Sequence, residues 1–303
     1  SGNRLRLEFR FRQDTLQNDA RWELCNGEDA VIQLSTRDGA LYSENTYLMP
    51  YQAGTDYGVQ LEIDLAAQSF QVFVNGSEKA QGVKFLSSIS AVDNLVVSTG
   101  KTATGNMNFK PVRLSRDYLV QERWIAYGTG ALQNGSWQTS DGNVTIQSMT
   151  SVTPPDTYSA VLNTQKGGSQ AWLKKQISPI QMDLEWEFKF LAPDGIGALT
   201  ASLSDALRLK IEQNRLYVQE AGGGRRELCE LIPNLWYTVS CTLDTDTGKA
   251  CIMVNGKKKA GGVQTSAANT SVSEILFQTG AGQPENVWID DIVLKPSLPL
   301  PED

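Results

Sequence analysis

Apolar and polar residues alternate along much of the chain with a period of two. In residues 4–12, arginine and glutamate alternate with the apolar residues Leu5, Leu7, Phe9 and Phe11. Because successive side chains of a β-strand point to opposite faces of a sheet, this pattern predicts a strand with one apolar face. Similar short runs follow, separated by Gly, Asn and Asp, and none has the period of an amphipathic helix. The pattern predicts an all-β fold made of antiparallel β-sandwiches.

One hairpin sequence occurs twice. The pattern V-N-G-x-x-K-A-x-G-V fits residues 74–83 and again residues 254–263, 180 positions later. Flanking positions keep the same offset, so that Leu95 aligns with Ile275. A separation this long indicates two copies of a domain rather than a solenoid, whose repeats are shorter. The Asn-Gly pair in each copy predicts a tight turn, because both residues tolerate positive φ.

The alignment of the two copies sets the expected domain bounds. We assign residues 1–115 to a first sandwich, 116–123 to a linker, 124–296 to a second sandwich and 297–303 to a C-terminal linker. Strand-like runs within 116–183 have no counterpart in the first copy and are expected to open the second sandwich. The first sandwich is then expected to lack its opening strands, which would lie upstream in a longer parent protein or be replaced locally. In the alternative, part of 116–183 crosses back and completes the first sandwich.

Composition excludes several functional classes. The 303 residues carry a net charge of -7, whereas nucleic-acid binders normally present a basic face. Histidine is absent, which removes Ser-His-Asp and Cys-His catalysis and most zinc sites. No apolar run is long enough to span a membrane. The four cysteines form no C-x-x-C motif, and Cys241 and Cys251 have opposite parity in one predicted hairpin, so we expect no disulfide between them.

Several stretches resemble concanavalin A-like (laminin G-like) jelly-roll domains. These are residues 236–244, Gly248-Lys249 and residues 252–256. The motif Gly135-Ser136-Trp137-x-x-x-Asp141-Gly142 is similar to the opening of such domains in bacterial secreted proteins, and Trp288-Ile289-Asp290-Asp291-Ile292 to the last strand of many carbohydrate-binding sandwiches. The resemblance implies a tandem pair of jelly rolls in an extracellular or cell-surface bacterial protein that processes polysaccharides.

Three functions follow from these observations. The first is a non-catalytic pair of carbohydrate-binding or spacer sandwiches that binds a polysaccharide or oligosaccharide. Its parent would be a secreted bacterial glycoside hydrolase or polysaccharide lyase with covalently linked neighbouring domains. The second is a laminarinase-type glycoside hydrolase module that uses Glu185 and Glu187. The third is a protein-binding, laminin G-like adhesion segment. The candidate residues differ between the copies, so we expect function in one copy.

Aromatic and arginine side chains are the candidate sugar-binding groups. Aromatic faces can stack on the C–H faces of sugars, and arginine binds carboxylates through paired hydrogen bonds. The alternatives are burial of the aromatic residues in the core and a charged edge strand that resists aggregation. The candidates are Tyr42, Tyr47, Tyr51, Trp137, Trp172, Arg6 and Arg10.

Two groups of acids are the other candidates. Laminarinase-type enzymes carry E-x-D-x-x-E on one strand, whereas this chain has D-x-E-x-E at residues 183–187, which favours a solvated face over a catalytic site. Asp290 and Asp291 are candidate ligands for a structural Ca²⁺, because carboxylate oxygens suit this ion. The first copy has Lys110-Pro111 at this position, so calcium is expected in the second domain only. In the alternative, both acids are exposed at a strand end.

Overall fold

The computed structural model describes residues 4–89, 91–100, 103–116, 118–127, 129–132, 136–140, 143–148, 158–164, 168–282 and 285–297. The regular elements of this part of the chain are all β-strands, and none of its segments is a helix suited to crossing a membrane. The chain forms two compact units. Unit 1 consists of Ser1–Asp117 and Ile125–Gly128, and unit 2 of Tyr118–Trp124 and Thr129–Asp303.

The described residues of unit 1 form ten strands in two antiparallel sheets. They are β1 (Arg4–Gln13), β2 (Ala20–Asn26), β3 (Asp29–Arg37), β4 (Ala40–Ser43), β5 (Thr46–Pro50), β6 (Asp56–Asp64), β7 (Ser69–Val74), β8 (Ser77–Lys84), β9 (Asn94–Thr99) and β10 (Met107–Arg116). The β1 sheet has the order β10-β1-β6-β7-β8, and the β3 sheet has the order β5-β4-β3-β2-β9.

The apolar face of β1 lies in the core of unit 1, as its alternation predicts. Phe9 and Phe11 are almost completely buried. They pack against Trp22 of the β3 sheet, with ring centroids 5.5 and 4.9 Å from the Trp22 ring. The core therefore forms between the inner faces of two sheets, and the fold class predicted from the sequence is confirmed.

Residues 125–127 cover part of the outer face of the β1 sheet without forming a strand. Nη1 of Arg10 donates to the carbonyl oxygens of Ile125 at 3.1 Å and Tyr127 at 2.6 Å. A Cβ atom on Gly58 would come within 2.4 Å of the Ala126 backbone, so glycine permits this close approach. The stretch 116–183 thus contributes an irregular segment to unit 1.

Unit 2 contains sixteen described strands. They are β11 (Val120–Glu122), β12 (Gly130–Ala131), β13 (Gln138–Thr139), β14 (Val144–Ser148), β15 (Tyr158–Thr164), β16 (Trp172–Ile180), β17 (Leu184–Leu191), β18 (Ala198–Leu203), β19 (Leu207–Glu212), β20 (Arg215–Gln219), β21 (Arg225–Glu230), β22 (Tyr237–Asp244), β23 (Lys249–Val254), β24 (Lys257–Gln264), β25 (Val272–Thr279) and β26 (Glu285–Pro296).

Ten strands of unit 2 have the same order as the ten strands of unit 1. The β17 sheet contains β26-β17-β22-β23-β24, and the β19 sheet contains β21-β20-β19-β18-β25. The other strands extend these sheets: β11 and β15 pair with β26, and β16 pairs with β25. Strand β11 lies within residues 116–123, which the sequence analysis assigns to a linker.

The Asn-Gly turns have the predicted conformation. Asn75 and Gly76 have φ values of 49° and 75°, and Asn255 and Gly256 have values of 48° and 72°. The four cysteines are free. Cys241 lies opposite Ile252 rather than Cys251, so the two thiols are on opposite faces, as their parity predicts. Gly135, Asp141-Gly142 and most of the predicted C-terminal linker lie outside the described residues.

Candidate functional site

A groove lies over the outer face of the β3 sheet in unit 1. Its volume is about 620 Å³, which is within the usual range for sites that bind small ligands. The lining is mainly polar and combines guanidinium, amide and hydroxyl groups. The lining includes Arg21, Gln33, Ser35, Arg37, Asn45 and Ser98, together with the carboxylates Asp19 and Glu44.

Strand register brings these side chains to one face. Ser35 of β3 lies opposite Arg21 of β2 and opposite Tyr42 of β4. Arg21 in turn lies opposite Ser98 of β9. Directly opposed residues of antiparallel strands share a face, so four neighbouring strands present polar or aromatic groups on the same side. Leu34, with the other parity, is buried in the core.

Tyr42, Tyr47 and Arg37 form a cluster beside this groove. The Tyr42 and Tyr47 rings meet edge to face, with centroids 5.8 Å apart. The guanidinium carbon of Arg37 lies 4.1 Å from the Tyr42 ring centroid. Tyr47 is 55% exposed. The cluster therefore combines an accessible aromatic surface with the hydrogen-bonding groups of the groove, a combination suited to a sugar.

Tyr51 is separate from this cluster. It is buried in the core of unit 1, and its ring contacts Phe11 and Tyr57 edge to face. Its hydroxyl donates to the carbonyl oxygen of Thr15 at 3.4 Å. Burial is the main cause that raises the pKa of the Tyr51 hydroxyl. Of the three predicted tyrosines, two flank the groove and the third stabilises the fold.

Arg6 and Arg10 are buried against protein partners. Nη2 of Arg6 donates to Oε1 of Glu62 at 2.7 Å, and Arg10 binds the carbonyl groups of the 125–127 segment. Neither arginine lines the groove, because both lie on β1 in the other sheet of unit 1. The edge-strand alternative for these arginines is wrong, because β1 is hydrogen-bonded to β10 on one side and to β6 on the other.

The two predicted tryptophans of unit 2 differ in accessibility. Trp137 is buried, and its Nε1 donates to Oε2 of Glu122 at 3.0 Å. Trp172 is half-buried, with Nζ of Lys174 5.5 Å from its ring centroid. Trp172 therefore keeps part of its surface open to a ligand, whereas Trp137 packs inside unit 2.

Glu185 and Glu187 lie on β17 and are both engaged. Oε2 of Glu185 is 3.1 Å from Nζ of Lys295. The Ser240 hydroxyl donates to Oε2 of Glu187 at 2.6 Å. Asp183 precedes the strand, and burial followed by the charges of Asp244 and Asp246 raises its pKa. The hydroxyl and ammonium groups beside the two glutamates make a polar strand surface.

Asp290 and Asp291 lie within β26 rather than at an exposed strand end. Asp290 is buried, and Asp291 has a φ of 47° at a register shift between β17 and β26. Asp291 already binds two cations, Nζ of Lys189 at 2.6 Å and Nε of Arg123 at 3.2 Å. Within the described part of the chain, no group of three or more acidic, Cys or His side chains is placed to hold a metal. These residues do not fit a Ca²⁺ site unless the ion displaces both cationic side chains.

Most of the groove-lining residues are not among the candidates predicted from the sequence. Arg21, Gln33, Ser35, Arg37 and Asn45 are common surface residue types, and they meet only when strands β2 and β3 and the β4–β5 turn come together. The available signal is the parity of β3, in which the polar positions 33, 35 and 37 alternate with apolar ones. This signal predicts a shared face but not a concave one.

The chain is an all-β protein of two antiparallel sandwich units, and unit 1 carries an open polar groove. A family model described as "Sialidase-like, CBM domain" matches residues 4–108. The match includes every groove-lining residue and supports a carbohydrate-binding role. None of the curated proteins matches the chain.

Three solved structures illustrate its structural similarities. The alignment with a sialidase spans 88% of this chain and 30% of the sialidase chain, with 11% sequence identity and a TM-score of 0.44. The alignment with a carbohydrate esterase from a Shiga toxin-encoding bacteriophage spans 59% of this chain and 99% of the esterase chain, with 13% sequence identity and a TM-score of 0.44. The alignment with an endo-β-1,4-glucuronan lyase from the fungus Trichoderma reesei spans 59% of this chain and 96% of the lyase chain, with 14% sequence identity and a TM-score of 0.42.

Proposed function

We propose that unit 1 binds carbohydrate in the groove over the β3 sheet. The observation that carries this proposal is the position of the groove, which lies entirely within the residues that match the carbohydrate-binding family model. Tyr42 and Tyr47 supply an aromatic surface at its side, and Gln33, Ser35 and Asn45 supply hydrogen-bonding groups. The aromatic faces can stack on the C–H faces of a sugar ring while the polar groups bind its hydroxyls.

The proposal extends to the parent protein. We place unit 1 in a secreted bacterial polysaccharide-degrading protein, where it would hold substrate for covalently linked neighbouring domains. Unit 2 would be a second copy of the sandwich that serves as a spacer. The shared order of ten strands supports duplication.

The hydrolase alternative is less well supported. Lys295 already compensates the charge of Glu185, and Ser240 binds Glu187. The third carboxylate of the laminarinase pattern has no match in the sequence. The family model that matches residues 4–108 describes a carbohydrate-binding domain and not an adhesion domain. We therefore favour binding without catalysis.

A blocking substitution tests the proposal. Ser35→Trp places a large side chain on the floor of the groove, on a strand that accepts aromatic residues. Lys210 is its matched control, because it lies opposite Tyr217 in unit 2 as Ser35 lies opposite Tyr42 in unit 1. A glycan array followed by calorimetric titration should show binding that Ser35→Trp abolishes and Lys210→Trp retains. Loss of binding in both variants or in neither would contradict the assignment of the site to unit 1.

A further inference from the structure

Equivalent positions in the two units carry opposite charges. In unit 1, Arg37 lies opposite Ala40 at the end of the β3–β4 pair. In unit 2, Glu212 lies opposite Arg215 at the end of the β19–β20 pair. Glu212 therefore occupies the strand position of Arg37, and an acid in one unit replaces a base in the other.

In unit 2 this acid neutralises an arginine that covers an aromatic ring. Tyr217 is the counterpart of Tyr42, and the guanidinium carbon of Arg225 lies 4.5 Å from its ring centroid. Glu212 binds this same guanidinium. Arg215 is also paired, with Nη1 3.0 Å from Oε1 of Glu227. The outer face of unit 2 thus supplies its own carboxylates.

In unit 1 the corresponding ring is covered by Arg37, and no carboxylate among the described residues pairs with this arginine. Arg37 forms no ion pair with any described residue, although the acids Asp19 and Glu44 also line the groove. The β4–β5 turn contributes the neutral Asn45 at this point. The N–H groups of Arg37 consequently remain available to a ligand beside an exposed aromatic surface.

We propose that Arg37 binds a carboxylate of the bound sugar, so that unit 1 selects acidic saccharides. The proposal rests on the proposed function and names its ligand class. A guanidinium over an aromatic ring presents a planar fork of donors that matches a carboxylate through two parallel hydrogen bonds. The ligand carboxylate would take the place that Glu212 takes for Arg225 in unit 2. Asp19 and Glu44 would repel a densely charged polymer, which favours a single carboxylate near Arg37.

The test is calorimetric titration of the full chain with two sources of sugar carboxylate, an oligogalacturonate and sialyllactose. Methyl-esterified oligogalacturonate, lactose and a sulfated galacto-oligosaccharide are the comparison ligands. We expect at least one carboxylate ligand to bind at least about tenfold more tightly than its neutral counterpart, because hydrogen bonds to charged groups usually contribute at least that much to affinity. Binding of one source and not the other identifies which acidic sugar fits.

Variants at Arg37 connect the selectivity to this side chain. Arg37→Gln should weaken binding of the acidic ligand by at least about tenfold, to the level of the neutral one. Arg37→Lys should recover only part of the affinity, because an ammonium group is a point charge without the fork. Arg208→Gln is the control, since Arg208 is an exposed arginine of unit 2 that pairs with Asp205.

The outcomes separate the ligand class from the function. Equal binding of neutral and acidic ligands, unchanged in Arg37→Gln, would overturn carboxylate selection and leave carbohydrate binding in place. Equally tight binding of the sulfated ligand would overturn the carboxylate in favour of any anion. If no saccharide binds, either on the array or in titration, both proposals would be overturned. If Arg37→Gln fails to fold, Arg37→Lys is the test: a partial loss of affinity for the acidic ligand supports the proposal, and unchanged affinity would overturn the paired hydrogen bonds.

Discussion

Glu285 is a buried carboxyl group at the start of β26. Its Oε1 accepts a hydrogen bond from the Ala198 N–H at 2.9 Å, whereas Oε2 has no partner among the described residues. Burial is the main cause that raises its pKa, opposed by the backbone N–H groups of Ala198 and Gly197. The folded state therefore disfavours the ionised form, and unit 2 loses stability as the pH rises through this raised pKa.

Glu285→Gln should remove this pH dependence, because the amide is neutral at every pH and can still accept from Ala198. As the pH rises above about 4.5, the unfolding midpoint in denaturant is expected to fall more in the wild type than in the variant. The stability of the variant relative to the wild type should thus increase toward neutral pH. Glu230→Gln, at an exposed position, is the control for the loss of one charge. Parallel curves for wild type and Glu285→Gln would refute the raised pKa.

The candidate residues show how far sequence reasoning reaches at this scale. Tyr42 lies within a strand, so its parity relative to Leu41 correctly indicates an outward ring. Tyr51 follows β5 outside regular structure, where parity assigns no face. Arg10 has the predicted outward parity, but its carbonyl partners lie more than 100 residues later in the chain. Contacts this distant in sequence leave no local pattern.

The repeated hairpin is the element whose structure follows most directly from its residues. Oδ1 of Asn75 accepts from the Gly58 N–H at 2.8 Å, and the Asn75 N–H donates to the Gly58 carbonyl oxygen at 2.8 Å. Asn255 makes the same two bonds with Thr238. The asparagine therefore accommodates the positive φ of the turn and also joins its strand to the neighbouring one.

Substitutions of Asn255 separate these two contributions. Asn255→Gly keeps the backbone conformation and loses the side-chain acceptor, which should cost about 1 kcal/mol of unfolding free energy. Asn255→Ala keeps a Cβ at positive φ without the polar side chain that lets asparagine adopt this conformation, and should cost about 1–2 kcal/mol more than Asn255→Gly. Asn255→Asp keeps an acceptor and should stay closest to the wild type. Denaturant unfolding measures the order, and equal losses for Gly and Ala would contradict the backbone part of the explanation.

Alternation predicts where the long strands lie but not which strands are neighbours. The prediction that β1 has one apolar face is correct, whereas the interpretation of β1 as an edge strand is wrong. Strand β1 pairs with β10, which begins about 100 residues later in the chain and leaves no local signal. The short strands β12 and β13 contain two residues each, too few to show a period. Pairing of this kind depends on the whole sheet and not on local sequence.

At the scale of the molecule, the two units share a strand order and differ in the outer face of one sheet. Unit 2 covers that face with cross-strand ion pairs such as Arg215–Glu227. Unit 1 leaves a groove there, with Arg37 unpaired among the described residues. Function is expected in one copy because the candidate residues are not shared between the copies. In the structure, the predicted Tyr42 and Tyr47 flank the groove of unit 1, whereas its lining residues Arg21, Gln33 and Asn45 were not predicted as candidates. Function in one copy stays a prediction.

The most direct test of carbohydrate binding in unit 1 is to map the bound saccharide on the backbone amides of the full chain by NMR titration. The saccharide would be the tightest ligand from the glycan array. We predict that shift changes will concentrate at Gln33, Ser35 and Arg37 and at the β4–β5 turn, and will be small at the equivalent positions Lys210 and Glu212. Changes confined to unit 2, or none at saturating ligand, would contradict the central claim.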